Sequence, residues 1–279
     1  MPSFRAGRRL AIAFAGLLAL TGAATAQTTR PQVREIGEVP ESAIYIGNSF
    51  FYYNNSMHGH VTSLLRAAGD NRPFRTTSVT ISGSGFDWHD VASYFRPNAV
   101  GSYTFDAGNN IVFNQNARLF DIAIMMDCSQ CPIHPRLSSV FTEYARRHSE
   151  TVRANGARPV FFMSWAYADK PEMTEQLAEA YTVAGNANNA LVIPAGLAFA
   201  RSVRERPSLN LYVADKRHPS LAGTYLAAAV TYASLLGRSP EGNPYTAGLD
   251  AETARFLQTV AWQTVRDYYG AGPGQRAAN

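Results

Sequence analysis

The chain has 279 residues, 46 % of them hydrophobic, and 25 Lys+Arg against 21 Asp+Glu give a formal net charge of +4. This length and apolar content suit one large α/β domain or two small ones with a sizeable core. The charge is too small and too scattered for a nucleic-acid partner. No apolar run is long enough to span a membrane.

Arg5, Arg8 and Arg9 precede an apolar stretch at 10–20, and Ala24-Thr25-Ala26 fits a small-residue cleavage site. Residues 1–26 therefore read as a secretory signal, with Gln27 opening the mature chain and a secreted or periplasmic destination. Arg8-Arg9 also admits a twin-arginine route. Cleavage removes three arginines and no acid, so the net charge falls from +4 to +1 and says little about partners.

Residues 27–41 are polar, carry Pro31 and Pro40, and read as a tail or linker. Ala43-Ile44-Tyr45-Ile46 is a short buried strand. A helix is predicted over 57–68, stopped by Gly69, then a strand over 77–81 whose residues alternate. A short helix over 87–95 ends before Pro97, and 103–113, with Gly108-Asn109-Asn110 inside, reads as an inserted hairpin. Next come a buried strand at 121–126, a helix at 137–154 closed by Gly156, and a strand at 159–165. A helix over 172–186, a short strand at 191–193, and helices over 221–236 and 251–268 complete the series before a flexible tail at 270–279. Alternating strands and helices imply a single α/β domain over 27–279, with a mostly parallel central sheet covered on both faces in three α/β/α layers.

The chemistry-bearing residues lie at the two ends. Gly47-Asn48-Ser49-Phe50 follows the first strand, and Asp215-Lys216-Arg217-His218-Pro219-Ser220 precedes the helix at 221–236. A serine just past the carboxyl end of a strand lies where open α/β sheets place their ligands. Asp215 and His218 are three residues apart, so one loop or helical turn puts both on one side. Together they supply a nucleophile, a general base and a carboxylate that orients the base, as acyl transfer requires. Phe51 occupies the last position of what would otherwise be a Gly-x-Ser-x-Gly elbow, so the α/β-hydrolase turn is absent.

These blocks resemble the SGNH (GDSL-type) hydrolases, a superfamily of serine esterases and lipases. Gly47-Asn48-Ser49-Phe50 is similar to the first block, usually Gly-Asp-Ser-Leu, with Asn for Asp and Phe for Leu. Asp215-x-x-His218-Pro219-Ser220 matches the last block. Ile81-Ser82-Gly83 resembles the glycine block, and 121–130 resembles the strand ending in Gly-x-Asn, with Gln130 at the asparagine position. The resemblance runs in order from about Ala43 to about Arg238. It implies a flavodoxin-like fold and a Ser49, Asp215, His218 triad. It also implies an oxyanion hole from the amides of Ser49 and Gly83 and the side chain of Gln130, with Gly85 as the alternative to Gly83.

The expected reaction is hydrolysis of a small-molecule or carbohydrate ester through an acyl-enzyme, with no metal and no organic cofactor. Acyl transfer to a sugar hydroxyl by the same triad, or carbohydrate or envelope binding on the same fold without turnover, are the alternatives. Acetylated polysaccharide suits an exported enzyme, but lipid, aryl and peptidoglycan esters fit nearly as well. Among rival histidines, His58 and His60 are two apart and diverge on a helix, against a metal pair. His89 is expected to pack, and His148, beside Arg146 and Arg147, to lie on a solvated helix face. Phe50, Phe51, Tyr52, Tyr53, Trp88, Trp165 and Tyr167 fall near strand ends and are read as core or rim packing.

Cys128-Ser129-Gln130-Cys131 holds both cysteines. In a reduced cytosol they would suggest a redox pair or half a metal site. Two thiols do not complete a four-ligand zinc site. In an exported protein the spacing reads as a short disulfide that stiffens the loop carrying Gln130.

Overall fold

The computed structural model describes residues 28–97, 99–100, 103–113 and 118–270. The expected leader at 1–26, Gln27 and all of the 270–279 tail except Gly270 lie outside the described residues.

Five parallel strands form the central sheet: β1 (Ser42–Gly47), β2 (Arg75–Thr80), β5 (Ile122–Met125), β6 (Arg158–Phe162) and β7 (Leu191–Ile193). Their order is β2-β1-β5-β6-β7. Counting only these five, that is 2-1-3-4-5, the flavodoxin-like arrangement of a doubly wound sheet. β1, β5 and β7 are buried along their whole length, as apolar strands covered on both faces must be. The remaining pair, β3 (Tyr103–Phe105) and β4 (Ile111–Phe113), is the expected hairpin, turned through Asn109 at φ 62°.

Helices α1 (Ser49–Tyr52), α2 (Met57–Ala67) and α3 (Val91–Tyr94) belong to the first half of the chain. The second half supplies α4 (Ser138–Ala154), α5 (Met173–Ala187), α6 (Ala195–Glu205), α7 (Leu221–Leu236) and α8 (Ala251–Tyr269). α4 and α5 pack on β6 and on each other, whereas α7 packs on β7 and against α2, α6 and α8. Every residue of α7 from Ala222 to Leu236 is buried, which fits a helix apolar on all sides. Among the described residues no helix is long and apolar enough to cross a membrane.

The polar stretch before β1 is tied down. Thr28 and Thr29 donate their backbone N–H groups to the Glu179 carboxylate, and Arg158 donates to the carbonyls of Ile36 and Glu38.

Three readings need correction. The segment 195–205, unassigned from sequence, is α6; Pro194 stands at its N-cap, so the usual Ser, Thr or Asp start signal is missing. The single helix expected over 87–95 is a 3-10 turn at Phe86–Trp88 followed by α3, because Asp90 caps a new start by accepting from the Ser93 N–H. His148 is buried rather than solvated. The inward stripe of α4 runs Phe141, Ala145, His148, Ser149, Val152, so Arg146 and Arg147 point out while His148 Nε2 reaches the Phe86 carbonyl at 2.9 Å.

Candidate active site

In a 2-1-3-4-5 sheet the chain leaves β1 and β5 toward opposite faces, opening a crevice at their carboxyl ends. Asn48-Ser49 follows β1 and Met126-Asp127 follows β5 at that crevice. Asn48 caps α1 by accepting from the Phe50 N–H at 3.2 Å, which makes Ser49 the first helical residue.

Ser49 and the Asp215–His218 loop, 169 residues apart in sequence, come together here. Ser49 Oγ lies 2.7 Å from His218 Nε2, and His218 Nδ1 lies 2.5 Å from Asp215 Oδ2. The other carboxylate oxygen of Asp215 accepts from the backbone N–H groups of Arg217 and His218, both at 2.9 Å. Partial burial works against the Asp215 charge, but hydrogen bonds from the His218 ring and these two amides outweigh it and hold the carboxyl down at about 2. An ionised Asp215 accepts the hydrogen bond from Nδ1–H, so Nε2 presents its lone pair to the Ser49 hydroxyl.

The loop is fixed from several sides. Lys216 adopts φ 65° and donates its N–H to Val213, and Val213 donates to the His218 carbonyl. Trp165 Nε1 donates to the Arg217 carbonyl at 2.9 Å, and Ala168 N–H to the Lys216 carbonyl. Asn54, at φ 52° in the turn after α1, donates to the Pro219 carbonyl and to Thr224 Oγ1. At Gly223 a Cβ would meet the Leu211 carbonyl at 2.3 Å, so only glycine lets the start of α7 close on this loop.

Aromatic rings flank the imidazole. Tyr53 stacks on His218 with centroids 4.4 Å apart, and Phe50 meets it edge-on at 5.5 Å. Phe50 stacks on Trp165, which stacks in turn on Phe199. Packing is indeed the role of these rings, but what Phe50, Tyr53 and Trp165 support is the histidine and its loop. Proximity to Ser49, one turn away, was the available signal for Tyr53. Arg217 lies over the Tyr167 ring, whose hydroxyl bonds Ser129 beside Gln130.

The glycine segment and the Gln130 loop meet beneath the serine. Ser84 Oγ donates to the Gly47 carbonyl and lies 3.0 Å from Nε2 of His89. Burial lowers His89 to about 4, so it is a neutral packing histidine that stiffens the segment. Gly83 has φ 71° and open space where a Cβ would stand, whereas at Gly85 a Cβ would meet the carboxylates of Asp87 and Asp127 within 3.0 Å. Among the described residues neither glycine N–H donates to a protein acceptor. Gln130 is half-buried, and its side chain has no hydrogen-bond partner among the described residues. Cys128 and Cys131 are disulfide-bonded, so the two sulfurs beside Asp127 are spent on each other and are not thiolate ligands.

Nothing in the sequence marks Asp127, which stands just past the buried strand β5. It is 2 % exposed, and one carboxylate oxygen accepts from the N–H groups of Phe86 and Cys128 at 2.7 and 2.8 Å. Burial drives its pKa up from 3.8 to about 6 against those two donors, with Asp87 adding to the rise. A raised carboxyl pKa stabilises the fold fully below about pH 3.8, and that contribution is lost as pH rises through about 6. Asp127→Asn keeps an acceptor for both amides and removes the titration. Between pH 4 and pH 7, wild type should lose about 2 kcal/mol of stability relative to this variant. Urea unfolding of both proteins at the two pH values measures it, and parallel losses would refute the coupling.

The fold is shared with several solved structures. The chain is similar to a DUF4886-family protein from Bacteroides uniformis, at 17 % identity and TM-score 0.58 over 85 % of this chain and 99 % of that one. It is similar to a protein assigned to the SGNH hydrolases from Slackia heliotrinireducens, at 21 % identity and TM-score 0.52 over 70 % and 98 %. It is also similar to a catalytic mutant of Axe2, an acetylxylan esterase from Geobacillus stearothermophilus, at 13 % identity and TM-score 0.51 over 70 % and 94 %. No protein-family model matches the sequence, and no curated protein matches it. The fold is that of the SGNH hydrolases.

Proposed function

We propose that this chain is an exported serine esterase that hydrolyses short acyl esters, acetyl esters of carbohydrates foremost. The observation that carries the reading is the continuous contact from Ser49 Oγ through His218 to Asp215, at 2.7 and 2.5 Å. Ser49 attacks the ester carbonyl while His218 Nε2 takes its proton, and Asp215 stabilises the imidazolium that forms. The imidazolium then returns the proton to the departing alcohol. Water, activated by the same histidine, releases the acid from the acyl-enzyme.

The developing oxyanion is held by the Ser49 N–H, the Gly83 N–H and the Gln130 side-chain amide. Open space beside Gly83 favours it over Gly85, whose flank is filled by two carboxylates. Export is supported by the Cys128–Cys131 disulfide, since such bonds persist in oxidising compartments. The carbohydrate ester is favoured because an acetylxylan esterase shares the fold and stacking aromatics border the histidine.

The test is a panel of aryl esters of increasing acyl length beside acetylated xylan and acetylated monosaccharides, with labelling by a fluorophosphonate probe. The expected result is stoichiometric labelling and a preference for acetyl esters. Absence of both labelling and turnover would leave a binding protein instead.

A further inference from the structure

Asn48, immediately before Ser49, is 4 % exposed. Its side-chain Nδ2 donates to the Ser84 carbonyl at 3.0 Å and to the Asp127 carbonyl at 3.2 Å, while its Oδ1 accepts from the Phe50 N–H. The amide orientation is forced, because the reverse would set an oxygen against two carbonyl oxygens. Ser84 lies between Gly83 and Gly85, and Asp127 opens the loop that leads to Gln130. One side chain thus joins the serine turn, the glycine segment and the Gln130 loop. Among the described residues no other side chain bonds both carbonyls.

We propose that Asn48 is a positioning residue for the oxyanion hole, setting the spacing of the three segments that furnish its donors. This rests on the esterase reading above. It also gives a physical reason for asparagine at this position. An ionised aspartate has no donor to offer and would face two carbonyls with a negative charge. A protonated one has a single O–H and could serve only one of them. Two carbonyls converging on one nitrogen call for an amide. Donor geometry in an oxyanion hole matters chiefly in the transition state, so a disturbed Asn48 should lower kcat and leave KM nearly unchanged.

The experiment compares wild type, Ser49→Ala, Asn48→Asp and Asn48→Ala on an aryl acetate, with rates expressed per site able to label with a fluorophosphonate. Asn48→Asp is nearly isosteric and tests the lost donors if the alanine variant does not fold. Affinity for phenylboronic acid, which forms a tetrahedral adduct on the serine, is measured alongside. Both Asn48 variants should lose about 10- to 100-fold in kcat per labelled site, with KM within about twofold, and boronate affinity should fall in step with kcat. Ser49-dependent hydrolysis with kcat and boronate affinity unchanged per labelled site overturns this inference alone, as does a loss appearing only in KM. Turnover that survives Ser49→Ala overturns the esterase reading itself.

Discussion

Ser49→Ala should leave the fold and melting temperature near those of wild type and lower aryl-ester hydrolysis by at least about three orders of magnitude. The hydroxyl lies 2.7 Å from a histidine already oriented by a carboxylate, and its removal leaves the imidazole nothing to deprotonate except water. Structural cost is small because the helix start depends on Asn48, whose side chain caps the turn, and not on the serine hydroxyl. Circular dichroism and a thermal melt check the fold, and initial rates check the chemistry. Near-parent turnover in a folded variant would remove Ser49 as the nucleophile.

The blocks legible in sequence were those whose meaning is local. Asp215 and His218 are close in the chain, so their contact needs only one loop, and Ser49 follows a strand whose apolar run marks it. The sheet was readable for the same reason, since buried parallel strands are short apolar runs between helices. Illegible features were those defined by a distant partner. Nothing near Asn48 announces that its amide will meet the Ser84 and Asp127 carbonyls, 36 and 79 residues on. Tyr53 and Trp165 look like core aromatics until the fold sets one on His218 and ties the other to the loop before it. His148 misled because two exposed arginines precede it, and only the phase of α4 separates their face from its own. Asp127 reads as a loop acid, and burial alone converts it into a tie between two segments.

With Gln130 in its proposed oxyanion role, Gln130→Ala should lower kcat by roughly 10²–10³ with little change in KM, because a donor to developing charge is felt mainly in the transition state. The loop around it is already constrained. The disulfide closes it, Cys131 N–H donates to the Cys128 sulfur, and Asp127 holds the Cys128 and Phe86 amides together. The Gln130 carbonyl accepts from Ile133 while its side-chain amide has no partner among the described residues, so the backbone is fixed and the amide is free to donate. Gln130→Asn, shorter by one methylene, should recover part of the rate if it still reaches the oxyanion. A residue that only packs would behave differently: Gln130→Ala would then lower the melting temperature and spare kcat. Kinetics and melting curves of the two variants decide between these outcomes. An unchanged kcat in Gln130→Ala would take the residue out of the oxyanion hole and leave the amides of Ser49 and Gly83 to hold the charge.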